Sequence, residues 1–539
     1  MNLFLQHGLP LSIGFRDMYP PTMSCLNPAC LVYDPLTGHQ TGRRLSGTES
    51  THRATLFSHD HGAIPIWTTS WECLGCFTRY HPNYYVPSEQ PRLRHYYGGI
   101  PEYIHISDEF FVSSQLCESI TNEMVCAWVS STNNARIYNL SHPTPPMSMS
   151  WSISLDLDPG HVWDAFFFHS LLLQCDESTP PTALVLADNA PSQADRLRPA
   201  LEDRNRLMVG PGQEYWNHAC QLCCDITHHE DGSLTHIRSV VTDGITMGHP
   251  SCGSHNCQNP LPNMRARFCV AHAGLESLCA ARDNGVPCAR PCEQGRRTCA
   301  LAAHRKLEDG YVAQGRAMFQ LRRRLEKLKV SQTNSALPAT IDYADVCEGK
   351  PESGNRQLRA KFGRSRTHNE ELCVASCGVI LGRATFFGSE APTSVIDFWK
   401  MLFPTKQSLP SVIWHDNNCS VMKILKRTED DYFEDTALPV DVFHFKCKHK
   451  ESDVFCGEHC NPAKWPQLMR DGRWRFNSSA AEQTNAWMGG FRAIVREMRP
   501  DRYNFFLDEM IKRRNRIVVE NLERKGHNPW QMDREGLLL

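Results

Sequence analysis

The chain has 539 residues, with 57 Lys and Arg against 59 Asp and Glu, and 41% of its residues are hydrophobic. That length predicts several domains, and that apolar content supplies ordinary cores. A net charge of −2 excludes a uniformly basic nucleic-acid coat protein. No stretch reaches the ~18 apolar residues of a membrane helix, and Met1–Tyr19 lacks the basic-then-apolar pattern of a secretory leader. A soluble intracellular protein without a membrane partner is the expectation.

Cysteine is the unusual component. There are 24, beside 25 His, and ten of the cysteines lie between Cys220 and Cys299. In a large chain without a leader, CxxC and CxxH pairs interleaved with His point to zinc rather than disulfides.

Residues 1–150 hold Pro/Gly turns, short β-like runs and two knuckles, Cys25-x4-Cys30 and Cys73-x2-Cys76. Two knuckles brought together by a hairpin close a four-cysteine site, which predicts a zinc-ribbon-like α+β domain. Tyr80, Tyr84, Tyr85, Tyr96 and Tyr97 are either a base-stacking surface or core. Ile104–Val129 alternates like one helix around Phe110, Phe111, Leu116 and Ile120. Residues 151–219 read as a helical connecting region, with a buried helix at Trp163–Gln174 and a polar one at Asp188–Asn205. Val209-Gly-Pro-Gly-Gln213 lacks the Lys-Ser/Thr tail of a phosphate loop and reads as a turn.

The segment 220–310 opens with Cys220-x2-Cys223, followed by a strand over Thr235–Met247 that carries Asp243. Cys252, Cys257, Cys269 and His272 then have the spacing of one zinc site with three thiolates and an imidazole. Cys279, Cys299 and His304, with either Cys292 or Cys288, have the spacing of another. An interleaved pairing is equally allowed, and Cys220 and Cys223 belong to a third site whose other ligands the spacing does not identify. All ligand positions are filled by protein, so the zinc is expected to be structural.

Residues 311–370 form a basic helix, Arg316–Lys329, and a polar linker. Residues 371–539 read as α/β: a β-prone run at Val374–Phe387, a helix at Thr393–Phe403 and a buried strand, Ser411–Trp414, ending at Asp416. A helix capped by Ser478 or Ser479 carries Glu482 in its first turns and the apolar stripe Trp487, Phe491, Ile494, Val495, Met498. His449, Cys456, His459 and Cys460 are spaced for a further zinc site or for packing. Asp243, Asp416 and Glu482 form a strand–strand–helix set of carboxylates of the type that holds two Mg2+ ions.

The stretch VVTDGITMGHPSC…RFCVAH…TCALAAH resembles the cysteine-cluster (CxC) domains associated with Kyakuja–Dileera–Zisupton (KDZ) transposases, and CLNPAC…WECLGCFTRYHPNYYV resembles the partner cluster upstream. CGVI…SVIDFWKMLFP…VIWHDNNC…FHFKCKHK…FCGEHCNP…AAEQTNAWMGGF resembles the catalytic half of those enzymes. The resemblance implies a ribonuclease-H-like core interrupted by the zinc cluster, with Asp243, Asp416 and Glu482 as a DDE set holding catalytic Mg2+. It implies DNA as partner, self-association, a nuclear location and no small-molecule substrate. FNSSAAEQTNAW lacks the acidic lead-in of KDZ transposases, so a non-catalytic zinc-binding nuclear protein that binds DNA or chromatin is the alternative. Arg322–Arg324, Lys327 and the run Lys512–Arg516 are the basic candidates for phosphate contact.

Overall fold

The computed structural model describes residues 4–35, 38–45, 47, 49–142, 151–313, 315, 358–447 and 453–539. The basic stretch Arg316–Lys329 and His449 lie outside the described residues.

The amino-terminal part is built on a long antiparallel pair, β1 (Ser50–Ser58) and β2 (Gly62–Glu72), paired from Ser50 opposite Ser70 to Ser58 opposite Gly62. It grows into a nine-stranded sheet whose far edge is the hairpin β3 (Tyr103–Ser107) and β4 (Phe110–Ser113). The expected single helix over Ile104–Val129 is therefore half hairpin. The turn at Asp108-Glu109 splits it, and Ser113 then caps α1 (Ser114–Ala127) by accepting from Leu116 N. A helix over Ser131–Ser141 follows, then the apolar α2 (Pro159–Asp176) and α3 (Gln193–Leu207), the last capped by Ser192.

A second, five-stranded sheet holds β5 (Cys224–His228), β6 (Leu234–Ile245), β7 (Asn369–Ala375) and β8 (Ile380–Phe386) in that order, all antiparallel. After α4 (Pro392–Leu402), β9 (Val412–Trp414) returns parallel to β6, with Val240 opposite Ile413. The β-branched run around Val240–Thr242 suits this central position, buried on both faces. Val241, Leu372 and Trp414 point to one side, packing with Phe166–Phe168 of α2 and Phe505–Leu507 of a long carboxy-terminal helix. Val240, Cys373 and Ile413 point to the other, against Trp399 of α4. The cysteine-rich residues between β6 and β7 form an insertion whose short strands pair back on its own return segment, Pro250 with Arg366 and Ala281 with Ala360.

Beyond β9 come α5 (Asn418–Thr428), α6 (Val454–His459), α7 (Ala480–Gly489), α8 (Arg492–Val495) and α9 (Pro500–Arg524). The apolar stripe from Trp487 to Met498 is not one helix. It is interrupted at Gly489-Gly490, where the Trp128 indole occupies the place in which a Cβ on Gly490 would sit. Trp128 Nε1 donates to Trp487 O at 2.9 Å, and Trp487 Nε1 donates back to Val125 O at 3.0 Å. These contacts join the amino-terminal helices to the second sheet, and one apolar core runs from Phe57 to Ile511.

The carboxy-terminal basic run is consumed inside α9. Lys512 pairs with Glu177 at 2.6 Å and Arg516 with Glu214 at 2.8 Å. Arg513 bridges Glu118 and Glu509, and Arg204 meets Glu509 at 3.0 Å. Arg514 donates to Gly378 O, and Asn515 clasps both backbone groups of Ile380. Lys512, Arg513 and Arg516 of this run are thus paired with acidic side chains around α9, and Arg514 with a backbone carbonyl. No helix among the described residues is long and apolar enough to cross a membrane.

Candidate metal centres

Among the described residues, Cys/His groups at four places each bring four ligand atoms within 4.8 Å of one another. Zinc–sulfur bonds of ~2.3 Å place tetrahedral sulfurs about 3.8 Å apart, and the spacings below match that edge. The groups are compatible with structural zinc.

In the first, Cys25 Sγ lies 3.5 Å from Cys76 Sγ, and Cys30 Sγ lies 3.6 Å from Cys73 Sγ. The first knuckle precedes a small hairpin (Leu31–Asp34 with His39–Gly42), and the second follows directly on β2. The Tyr80 hydroxyl reaches Cys25 Sγ at 3.2 Å, and Tyr80, Tyr84 and Tyr96 are buried. These three tyrosines serve as core here. Burial pushes the Cys25 thiol up to about 12, while hydrogen bonds from Thr78 outweigh burial at Cys76 and hold it at about 7.

The second group completes Cys220 and Cys223 with His218 and Cys377. Cys377 Sγ is 3.3 Å from His218 Nε2, and Cys220 Sγ is 3.7 Å from Cys223 Sγ. Cys377 sits in the turn between β7 and β8, so this group fastens the start of β5 to the end of that hairpin. The H-x-C spacing of His218 was a usable signal. Cys377, 159 residues beyond His218, had none.

The insertion holds two sequential groups rather than an interleaved pair. Cys252, Cys257, Cys269 and His272 form one, with His272 Nδ1 3.5 Å from Cys252 Sγ and 3.3 Å from Cys269 Sγ. Cys279, Cys288, Cys299 and His304 form the other, with His304 Nδ1 3.4 Å from Cys279 Sγ and 3.3 Å from Cys299 Sγ. Cys288, not Cys292, is the fourth ligand. The hairpin of Ala281–Asp283 with Val286–Pro287 returns Cys288 beside Cys279, whereas Cys292 is held by its backbone bond to Ser277 O, outside the group.

Of the expected set His449, Cys456, His459 and Cys460, His449 lies outside the described residues. Cys456 and Cys460 share one side of α6, four residues apart, and meet Cys419 of α5 in a buried cluster. His459 packs edge-on against Phe455, four residues back, and lies 2.8 Å from Lys426 Nζ.

Asp243, Asp416 and Glu482 sit at one end of the second sheet, opposite the Cys377 group. Asp243 is near the end of β6, Asp416 follows β9, and Glu482 is in the first turn of α7, which packs on β6 and β7. Burial pushes the Asp243 carboxyl up to about 6, and the charges of Asp416 and Glu482 push the same way, so the three are electrostatic neighbours. Asn485, one turn along α7, donates to Asp243 Oδ2 at 2.8 Å. His444 Nδ1 lies 3.4 Å from Glu482 and 3.1 Å from Asp441. Gly244 is required here: a Cβ would collide with Asn369 Nδ2 and lie 2.6 Å from Glu371 Oε2. The set thus brings a half-buried carboxylate beside two further acids.

No curated protein matches the chain significantly, and neither does any solved structure. Residues 13–142 match the CxC5 like cysteine cluster associated with KDZ transposases, and residues 241–310 match the CxC6 like cysteine cluster associated with KDZ transposases. The chain thus carries two cysteine clusters similar to those associated with KDZ transposases.

Proposed function

We propose that the chain is a DDE-type DNA transposase, or a nuclease derived from one, with a ribonuclease-H-like core. The observation that carries this reading is the placement of three acids around a central strand. Asp243 lies on that strand, Asp416 just past its parallel neighbour and Glu482 on the helix packed against it. Three antiparallel strands, a helix and then a strand parallel to the first support the same core. In this reading the zinc insertion, between its first and second strands, would touch DNA or a partner beside the acids.

In this reading a water or a 3′-hydroxyl attacks a phosphodiester, and the oxygen opposite leaves. Divalent cations held by the three carboxylates would activate the attacking oxygen and neutralise charge on the leaving one. Asn485 orients the Asp243 carboxylate, and its hydrogen bond favours the ionised form that binds a cation. His444 sets the rotamer of Glu482 from outside the sheet.

The test is nicking of supercoiled plasmid by the zinc-loaded full chain with Mg2+ or Mn2+. Wild type should nick, while Asp416→Asn and Asp243→Asn should lose roughly a hundredfold or more of the rate and still bind DNA. Equal nicking by wild type and both variants would sink the assignment.

A second reading, a zinc protein that binds nucleic acid in the nucleus without cutting it, is favoured by one observation. The segment FNSSAAEQTNAW around Glu482 lacks the acidic lead-in of the KDZ enzymes that it resembles. It predicts DNA binding with no metal-dependent nicking.

A further inference from the structure

The second sheet carries another group of metal-competent side chains, on the face away from Asp243. Glu371 stands opposite Gly244 in the β6–β7 ladder, whereas Asp243 stands opposite Leu372, so the two carboxylates leave opposite faces. On Glu371's side lie His415, which follows β9 and packs against Trp399, and Glu390, which shortly precedes α4. Ligand atoms of Glu371, Glu390 and His415 lie within 4.8 Å of one another.

The neighbouring glutamate shows what a satisfied carboxylate looks like in this sheet. Glu370 is fully buried and accepts from Arg383 at 2.8 Å, Thr385 at 3.0 Å and Tyr503 at 2.7 Å. Glu371 is equally buried, yet its Oε1 has no hydrogen-bond partner among the described residues. Its Oε2 accepts from Asn369 Nδ2, and that same amide nitrogen also serves Glu390 Oε2, each at 3.0 Å. No ion pair among the described residues reaches Glu371. Leaving a buried carboxylate oxygen bare is costly, and the nearby acids deepen the cost. A cation on Oε1 removes it.

We propose that Glu371, Glu390 and His415 bind a divalent cation of their own, back to back with the Asp243–Asp416–Glu482 set. The imidazole selects Mn2+ or Zn2+ over Mg2+, because two carboxylates and a nitrogen form a borderline rather than a hard donor set. His415 Nδ1 is 3.1 Å from Thr242 O, which orients the ring and leaves Nε2 for the metal. Glu390, only partly buried, opens the site to solvent. His415 and Asp416 are adjacent in sequence, so a cation on the imidazole also fixes the backbone that presents Asp416. The site does not depend on the DNA chemistry proposed above.

The experiment counts metal on the full chain, dialysed after loading with Zn2+ and Mn2+, by mass spectrometry. Glu390→Gln and His415→Gln should each carry one equivalent of Mn2+ plus Zn2+ less than wild type. Asp243→Asn should retain that equivalent. Zinc released by a mercurial, which reports the thiolate groups alone, should be equal in all four proteins and checks that the variants fold. Unchanged totals in Glu390→Gln and His415→Gln would overturn the proposal and identify the pair as carboxyls sharing a proton. Loss of metal from Asp243→Asn but not from Glu390→Gln would overturn it while leaving the DDE reading intact.

Discussion

Asn485 donates to Asp243 at 2.8 Å across 242 residues of sequence, and this bond ties the first turns of α7 to the central strand. Removing it leaves burial and two neighbouring acids to oppose ionisation of Asp243. Asn485→Leu should weaken Mn2+ binding at the three-acid set by roughly tenfold, the size of one charge-assisted hydrogen bond. Titration followed by electron paramagnetic resonance checks it, and unchanged affinity would show that Asn485 only packs.

The raised Asp243 carboxyl, at about 6 against an ordinary 3.8, makes a pH dependence. The folded state binds this proton more tightly than the unfolded chain. Its contribution to stability is full below about pH 4 and is lost as pH rises through about 6. Asp243→Asn should therefore gain stability relative to wild type between about pH 5 and pH 7 in urea unfolding without Mg2+. Added Mg2+, which binds the ionised form, should shrink that gain. A gap independent of pH would remove the electrostatic account.

Cys377 and Cys292 make a discriminating pair. Cys377→Ser should lower bound zinc by one equivalent and loosen the start of β5, while Cys292→Ser should leave zinc content unchanged. Elemental analysis reads both. The reverse result would mean that the ligand partition described above is wrong.

Gly244→Ala places a methyl against Asn369 and Glu371, both of them held in a buried network. The expected cost is roughly 1–3 kcal/mol in denaturant unfolding. A neutral substitution would show that the Asn369 amide is free to withdraw.

Arg513 is buried between Glu118 and Glu509. Arg513→Met leaves Glu509 to Arg204 and should cost about 3–5 kcal/mol. DNA affinity at fixed salt should not change. A drop in affinity with stability intact would return this run to the surface.

Elements with a single strong signal were legible in the sequence. Trp163–Gln174 reads as a buried helix and falls within Pro159–Asp176, and Thr235–Met247 reads as a strand and matches Leu234–Ile245. The zinc groups of the insertion were legible because their ligands fall within a short stretch of chain. Cys377, Cys419 and Glu371 were not, since each acquires its partners through sheet pairing or helix packing that no local spacing encodes. Ile104–Val129 was misread because Phe110, Phe111, Leu116 and Ile120 satisfy both a helical stripe and a hairpin followed by a helix. Gly490 packs against the distant Trp128, a contact that no local spacing encodes.

The insertion between β6 and β7 also sets a clock on synthesis. β6 ends at Ile245 and its partner β7 starts at Asn369. At ~5–20 residues per second, the strand's open edge leaves the ribosome roughly 6–25 s before the chain that covers it. An uncovered central strand is a template for pairing with other nascent chains. The cysteine groups emerge within that interval and can close on zinc before β7 arrives, shortening the span that β7 must search across. Zinc supply while the chain is being made, more than afterwards, would then decide how much of it escapes aggregation.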